Sequence, residues 1–366
     1  MCTRIVKAIE AEGPISFHRY MTMALYEPGL GYYANGLHKF GAAGDFVTAP
    51  EQGTLFARCL ARQIGQLPDA IGKTILELGA GSGALAGDLL LALECPPERY
   101  LILEPSAALR QVQQKRLAAL PEKLKGRVEW IATPPASPFS GVILANEVLD
   151  ALPVSAFEVT AEGLQERRVK VEGDRLAWSL TEPGPRLRAA IEMLQQDLSA
   201  PLPCGYASEI NLNLAAWLAS VTESLVAGLV LLIDYGYPRR EYYHADRREG
   251  TLVCHYRHRA HFDPFVWPGL TDLSTFVDFT AVAEAACDCA LEVTGFSSQA
   301  GFLLSLGIQD FLQKSADDIE RLRLAGEMKR LTLPAEMGEK FKVLALNRGI
   351  DVTLQGFALM DQLKRL

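Results

Sequence analysis

The chain has 366 residues, 49% of them hydrophobic and 22% charged, and a formal net charge of −8. That composition can bury a sizeable core in one or two domains. The acidic balance argues against polyanion binding as the main task, and no apolar run reaches the ~18 residues of a membrane span.

Residues 3–12 read as a short helix closed by Gly13-Pro14. The first residues lack a signal-peptide core and carry Glu10 and Glu12, so a cytoplasmic location is expected. Residues 16–50 are rich in aromatics, glycine and proline with poor periodicity, which suits a functional lid or a packed N-terminal extension. Residues 51–66 read as an amphipathic helix. From residue 73 strands and helices alternate, with strands at 73–79, 100–105, 127–132, 141–146 and 228–236 and later candidates at 291–298 and 341–349. Helices have room over roughly 301–330. Short apolar runs between helical stretches imply a parallel sheet covered on both faces.

Two segments break the alternation. Residues 157–180 alternate apolar and polar side chains around E-G and E-G-D turns, the pattern of a β-meander. Residues 237–279 carry Tyr, Arg, His, Pro and Gly without clear period, and long irregular segments of this kind are usually functional. The expected organisation is an N-terminal cap over 1–66, a doubly wound Rossmann-like α/β core over 67–154 and 228–366, and an inserted β-rich and helical subdomain over 155–227. Seven scattered cysteines, with Cys287 and Cys289 spaced C-D-C, write neither a disulfide framework nor a zinc knuckle.

The stretch ILELGAGSGALAGDLL (75–90) places Gly79, Gly81 and Gly83 between a strand and a helix. Glycines there allow a sharp turn and close backbone approach to a ligand, and the helix start presents free N–H groups. With Ala84 the loop also satisfies the permissive dinucleotide pattern, and Glu104, 21 residues past Gly83, can hold the ribose of NAD or of S-adenosylmethionine (SAM). Glu77 separates the two readings. A carboxylate beside a diphosphate is repulsive, whereas beside the ammonium and sulfonium of SAM it is favourable. Asn146-Glu147 and Asp234-Tyr235 end their strands over the same crevice, where polar groups suit a cationic substrate. These features favour SAM.

E-L-G-A-G-S-G followed by NEVLDALPV (146–154) resembles the MidA-like family of SAM-dependent methyltransferases. The likeness extends to ISFHRYMTMALYEPGLGYY (15–33), GDFVTAPE (44–51), LLIDYGYP (231–238), GTLVCHYRHRAHFDPFVWPG (250–269), VDFT (277–280) and MGEKFKVLALNRG (337–349), nearly the whole chain. The resemblance implies a SAM cofactor and, because mitochondrial members methylate an arginine in a respiratory complex I subunit, an arginine-bearing protein segment as substrate. One departure is visible: Phe276 stands where the family pattern implies a histidine before VDF.

A guanidinium is a poor nucleophile because its charge is delocalised and its pKa exceeds about 12. Methylating it calls for carboxylates that localise charge away from the attacking nitrogen, and Glu147, Asp150 and Asp234 are the acids at strand ends. Glu147 alternatively caps a helix or pairs with a nearby arginine. Nucleic-acid amino-methyltransferases usually carry [D/N]-P-P-[Y/F] where this chain has N-E-V-L, which disfavours a nucleic-acid substrate. His255, His258 and His261 form H-x-x-H-x-x-H, but Arg257 and Arg259 oppose a metal cation, and His258 is the candidate for proton transfer. The expected cofactor set is Thr48, Glu77, Gly79, Ala80, Gly81, Gly83, Glu104 and Asn146, with no metal. Asp45, Thr48 and Glu51 belong to GDFVTAPE, which the resemblance implies folds against the cofactor site; Thr48 or Glu51 touches SAM or closes the pocket, or else Thr48 caps a loop-to-helix transition. Tyr26, Tyr32, Tyr33 and Phe46 read as packing or as a channel lining. A small-molecule methyltransferase and a SAM-binding assembly factor without turnover are the alternatives. In the latter, the Ala- and Leu-rich stretches at 212–227 and 280–291 become docking or homodimer surfaces.

Overall fold

The computed structural model describes residues 1–36, 48–69, 71–257 and 259–366. Its central sheet is built from the apolar runs that the sequence spaces between helices. Seven main strands are β1 (Thr74–Leu78), β2 (Arg99–Leu103), β3 (Val128–Ile131), β4 (Phe139–Asn146), β5 (Leu225–Tyr237), β6 (Glu292–Ser298) and β7 (Phe341–Arg348). They lie in the order β6-β7-β5-β4-β1-β2-β3, and the two-residue strand Val277–Asp278 joins the carboxyl end of β5. The pairs β5–β4, β4–β1, β1–β2 and β2–β3 are parallel, whereas β7 runs antiparallel to both β5 and β6.

Both faces of this sheet are covered, which is why the strands are apolar on both sides. Ile75, Val142, Leu144, Leu229 and Leu231 pack on one face with the helices Leu55–Ile64 and Ala84–Ala92. Leu76, Ile143, Val230 and Leu232 pack on the other with Leu214–Thr222 and Phe279–Asp288. The arrangement is the doubly wound α/β core expected from the alternation. The strand order reverses between β1 and β4, so the carboxyl ends of these two strands open the crevice where such sheets bind ligands.

A second sheet interrupts the core between β4 and β5. Ser155–Thr160, Gly163–Glu172, Arg175–Thr181 and Tyr206–Ile210 are its antiparallel strands, as the alternating pattern predicted for 157–180. Ile15-Ser16 adds a short edge strand on Gly163–Glu172, so the N-terminal segment is anchored to this sheet. Residues 16–50 are more regular at their start than their periodicity suggested. Phe17–Tyr26 is a helix capped by Ser16, whose hydroxyl accepts the Arg19 N–H at 3.2 Å. Phe17, Tyr20, Met21, Met23, Ala24 and Leu25 are buried there, and Arg19, Thr22 and Tyr26 form a narrow exposed stripe that ends in an aromatic. The 237–279 segment is also partly ordered into strands, at Val253–Tyr256, Arg259–His261 and Asp272–Ser274. The helix read over 51–66 begins at Leu55, after a short turn at Ala49–Glu51. No helix among the described residues is long and apolar enough to cross a membrane.

Candidate active site

The loop after β1 turns because its glycines adopt a backbone conformation closed to most side chains: φ is 61° at Gly79, 54° at Gly81 and 84° at Gly83. The loop edges a cavity of about 1870 Å³ at the carboxyl ends of β1 and β4. Glu77, Gly79, Ala80 and Gly81 line it. Gly83 does not reach the cavity, contrary to the sequence expectation. It heads the helix Ala84–Ala92 and packs on Gln113, which a Cβ there would approach at 3.4 Å. The Glu77 carboxylate accepts the Tyr100 hydroxyl at 2.7 Å, and burial pushes its carboxyl up to about 7.

Glu104 follows β2 and lines the same cavity, nearly fully buried. It accepts the Ser106 N–H at 2.9 Å and the Gln113 side-chain amide at 3.1 Å. The Gln113 Nε2 also donates to the Gly81 carbonyl at 3.0 Å, and its Oε1 accepts Trp130 Nε1 at 3.0 Å. One buried amide thus spends both donors and its acceptor in tying the acid after β2 to the glycine loop. Sequence reasoning missed Gln113, because nothing in the pattern of the helix Ala107–Leu117 marks a glutamine as buried.

Thr48 lines the cavity from the far side of the loop. Three residues on, Glu51 accepts the Ser82 hydroxyl and the Arg116 guanidinium, the latter at 2.9 Å, while Arg116 also reaches Ser82 at 2.9 Å. This network fastens the segment before Leu55 to the glycine loop. Asp45 and Phe46 lie outside the described residues.

The acids after β4 form the opposite wall. Asn146, Glu147 and Asp150 all line the cavity. Asn146 Nδ2 donates to Glu147 Oε1 at 3.1 Å. Glu147 has φ of 55°, an uncommon conformation for a residue with a side chain, which directs the chain from β4 into the 147–152 turn. The surrounding protein and the charge of Asp150 push its carboxyl up to about 8, against hydrogen bonds from Asn146 and the Ala49 backbone. Asp150, 7% exposed, accepts the Tyr235 hydroxyl on Oδ2, while its Oδ1 is buried without a side-chain partner among the described residues. Burial pushes this carboxyl up to about 6.

Asp234 is corrected by the structure. It is fully buried and absent from the cavity wall. Its carboxylate accepts the backbone N–H groups of Val148, Leu149 and Asp150 at 3.1, 2.9 and 3.3 Å, and that of Tyr235 at 2.9 Å. With its lone pairs taken up by the backbone it shapes the 147–150 turn and has nothing left for a substrate. His258 lies outside the described residues, while His255 lines the cavity. Among the described residues no group of three His, Cys, Asp or Glu is placed to hold a metal ion.

Aromatic side chains complete the walls. Tyr26 and Tyr33 stack at 5.6 Å and both line the cavity, with hydroxyls fixed on the Ala151 carbonyl at 2.8 Å and Asp272 at 2.9 Å. Tyr32 is buried in the N-terminal packing instead. Phe276 stands edge-on to Tyr235 at 5.3 Å and also lines the cavity, so an apolar ring occupies the position where the resemblance implied a histidine.

Comparison with known proteins decides what this constellation is. The family model described as an S-adenosyl-L-methionine-dependent methyltransferase matches residues 55–297. The chain belongs to this family. The MidA-like resemblance and the SAM-dependent methyltransferase activity expected from it are therefore supported. A Burkholderia thailandensis structure bound to S-adenosyl-homocysteine is similar over 100% of this chain and 96% of that one, at 40% identity and a TM-score of 0.92. The mitochondrial protein arginine methyltransferase NDUFAF7 of Mus musculus is 28% identical over 94% of this methyltransferase and 84% of its own length, and that of Homo sapiens is 28% identical over 94% and 83%. These relatives are mitochondrial by name, which overturns the cytoplasmic location expected from the first residues.

The residues present fit the cofactor. Glycines at positive φ leave the cavity floor free of side chains, and Gln113 presents the Glu104 carboxylate as a fixed hydrogen-bond acceptor for a diol. Acidic groups elsewhere on the wall suit a ligand that carries positive charge.

Proposed function

We propose that this methyltransferase transfers a methyl group to a guanidinium nitrogen of an arginine in a protein segment. The observation that carries the reading is the pair Glu147 and Asp150 on one cavity wall, with Asp150 Oδ1 buried and, among the described residues, without a side-chain donor. A planar cation with several N–H groups supplies what that wall lacks. The names of the NDUFAF7 relatives point the same way. The cavity, at about 1870 Å³, exceeds the ~300–1,000 Å³ usual for a small ligand, which favours a polypeptide segment beside the cofactor over a free small molecule.

In this reading Glu104 accepts the ribose hydroxyls and Glu77 faces the ammonium end, with Gly79, Ala80 and Gly81 lying under the cofactor and Thr48 and Asn146 closing its sides. When bound, SAM supplies an electrophilic methyl group on a sulfonium. Glu147 and Asp150 grip the guanidinium and draw its charge toward two of its nitrogens, so that the third keeps a more available lone pair. Tyr235 fixes the rotamer of Asp150, and Asp234 holds the turn that presents both acids. Tyr26, Tyr33 and Phe276 exclude water around the reacting nitrogen, which strengthens each charge interaction in the site. A raised Glu147 carboxyl is also suited to take the proton that the guanidinium releases on methylation. With a cap over 1–66, a core and an insert over 155–227, the core then supplies most of the cofactor contacts and both acids, and the cap supplies Thr48, Tyr26 and Tyr33.

The test is incubation of the protein and labelled SAM with lysate from cells that lack it, followed by mass spectrometry of the labelled products. Label on an arginine of a protein is expected. Label on a small molecule alone would replace the substrate assignment, and SAM binding with no label transferred would favour an assembly factor without turnover.

A further inference from the structure

The cavity has a second wall that methyl transfer leaves without a task. It is the face of the inserted sheet on which Arg167, Ala156 and Glu209 stand in one row across three strands. Arg167 lies flat on Trp178, its guanidinium carbon 4.1 Å from the ring centroid, and both residues line the cavity. Its ion pair with Glu158 spans 3.8 Å, beyond hydrogen-bond reach, and its Nε is buried without a hydrogen-bond partner among the described residues. Glu209, the acid in the row, is held by the Thr251 N–H at 2.9 Å and the Thr251 hydroxyl at 3.1 Å.

A second guanidinium shares this end of the cavity. Arg247 stacks on Tyr237 at 4.6 Å and lies 5.9 Å from the Phe276 ring; its Nε is buried without a partner among the described residues, and it reaches the Glu241 carbonyl at 3.5 Å. The remaining charged groups here, Arg248 and Glu249, are exposed and opposite in sign. Burial lowers the pKa of Arg167, against the opposing charges of Glu158 and Glu209. Stacking fixes the plane of a guanidinium and leaves its N–H edge for a planar bidentate acceptor.

We infer that Arg167 and Arg247 form a subsite for a carboxylate of the substrate segment, so that the enzyme selects an arginine with an acidic residue at a set distance along the chain. The inference rests on the arginine reading above and adds a specificity determinant to it. The substrate is then gripped at two points of opposite charge, its cation at Glu147 and Asp150 and its anion on the inserted sheet.

Two sets of short arginine-centred peptides test it, identical except for a single Glu or Gln moved through successive flanking positions. Methylation is read by mass spectrometry, and affinity for protein loaded with S-adenosylhomocysteine is read by fluorescence anisotropy. At one or two positions the Glu peptide should exceed its Gln counterpart about tenfold in kcat/KM and in affinity, equivalent to ~1.4 kcal/mol. Arg167→Gln should erase that preference while leaving S-adenosylhomocysteine affinity unchanged, and Arg247→Gln provides an independent second variant should the first fold poorly. Equal behaviour of Glu and Gln peptides at every position, or a preference that survives both substitutions, overturns the subsite. If neither set is methylated, the arginine reading fails on its own. Binding then decides the subsite: a Glu preference lost in the variants upholds it, and no preference rejects it.

Discussion

The Tyr235 hydroxyl donates to Oδ2 of Asp150, and Oδ1 of the same carboxylate is buried without a side-chain partner among the described residues. One oxygen is therefore committed to holding the side chain and the other is available to a substrate donor. Asp150→Asn keeps the shape and removes the charge. Turnover should fall by ~30- to 1,000-fold, corresponding to about 2–4 kcal/mol for a charge-assisted contact in a dry site. Tyr235→Phe removes only the orienting bond, worth about 0.5–1.5 kcal/mol, and should cost roughly two- to tenfold. Single-turnover methylation at saturating SAM reads both. A loss of SAM affinity as large as the loss of rate would move Asp150 from the substrate to the cofactor.

Glu147 should give the pH profile its basic-side rise. Its carboxyl is pushed up to about 8, so the ionised form that attracts a guanidinium accumulates only as pH climbs through that value. Turnover in the wild type is expected to increase between pH 6 and 9, and Glu147→Gln to be slow and flat over the same range. An unchanged profile in the variant would assign the titration elsewhere.

Stability of the unliganded protein should run the other way. A carboxyl ordinarily near 4.5 and raised to about 8 in the folded state takes up a proton on folding, so stability falls as pH rises between those values. Glu77, raised to about 7, adds to the lower part of the window. The expected slope is on the order of 1 kcal/mol per pH unit between 6 and 8. Urea melts without ligand at several pH values measure it, and a flat or rising trend would remove the assignment.

The backbone of Glu147 predicts a separation of stability from activity. At φ of 55° a side chain costs about 1–2 kcal/mol that glycine avoids. Glu147→Gly also deletes a carboxylate standing near Asp150. The variant should melt at or above the wild-type temperature without ligand and be inactive. A clearly lower melting temperature would show that the side chain holds the turn together.

Cofactor affinity should depend on a residue set back behind the site. Gln113→Leu leaves Glu104, the Gly81 carbonyl and the Trp130 N–H without their shared partner. SAM affinity is expected to drop more than tenfold, or ~1.4 kcal/mol, by calorimetry. Gly81→Val, which forces a branched side chain onto a φ of 54°, should do at least as much. Arg116→Ala, on the exposed tether between Glu51 and Ser82, should have a smaller effect that weakens further with salt.

The core was legible in the sequence because its signals are local. Apolar strands, a loop that only glycines can turn and an acid at the end of the next strand are each spelled by neighbouring residues. Acid roles were legible by position alone: Asp150 and Asp234 both sit at the same crevice, and what separates them is which backbone N–H groups converge on one of them. Gln113 and the Arg167–Trp178 stack were invisible because their partners lie on other strands or helices. The helix Phe17–Tyr26 was hard to read because its exposed stripe, Arg19, Thr22 and Tyr26, is narrow and includes an aromatic.

Only Ala151, Leu152, Pro153 and Val154 separate Asp150 from Ser155, the first residue of the inserted sheet. Glu147 and Asp150 therefore hang from the leading edge of the element that forms a further wall of the cavity. Such a joint makes the insert a poor candidate for exchange as a detachable cassette. Residues 147–155 would have to travel with it, or a grafted sheet would arrive with the reacting pair out of line. Conversely, any tilt of the sheet on gripping a polypeptide would be transmitted along this short tether to Asp150, so chemistry and substrate recruitment share one hinge.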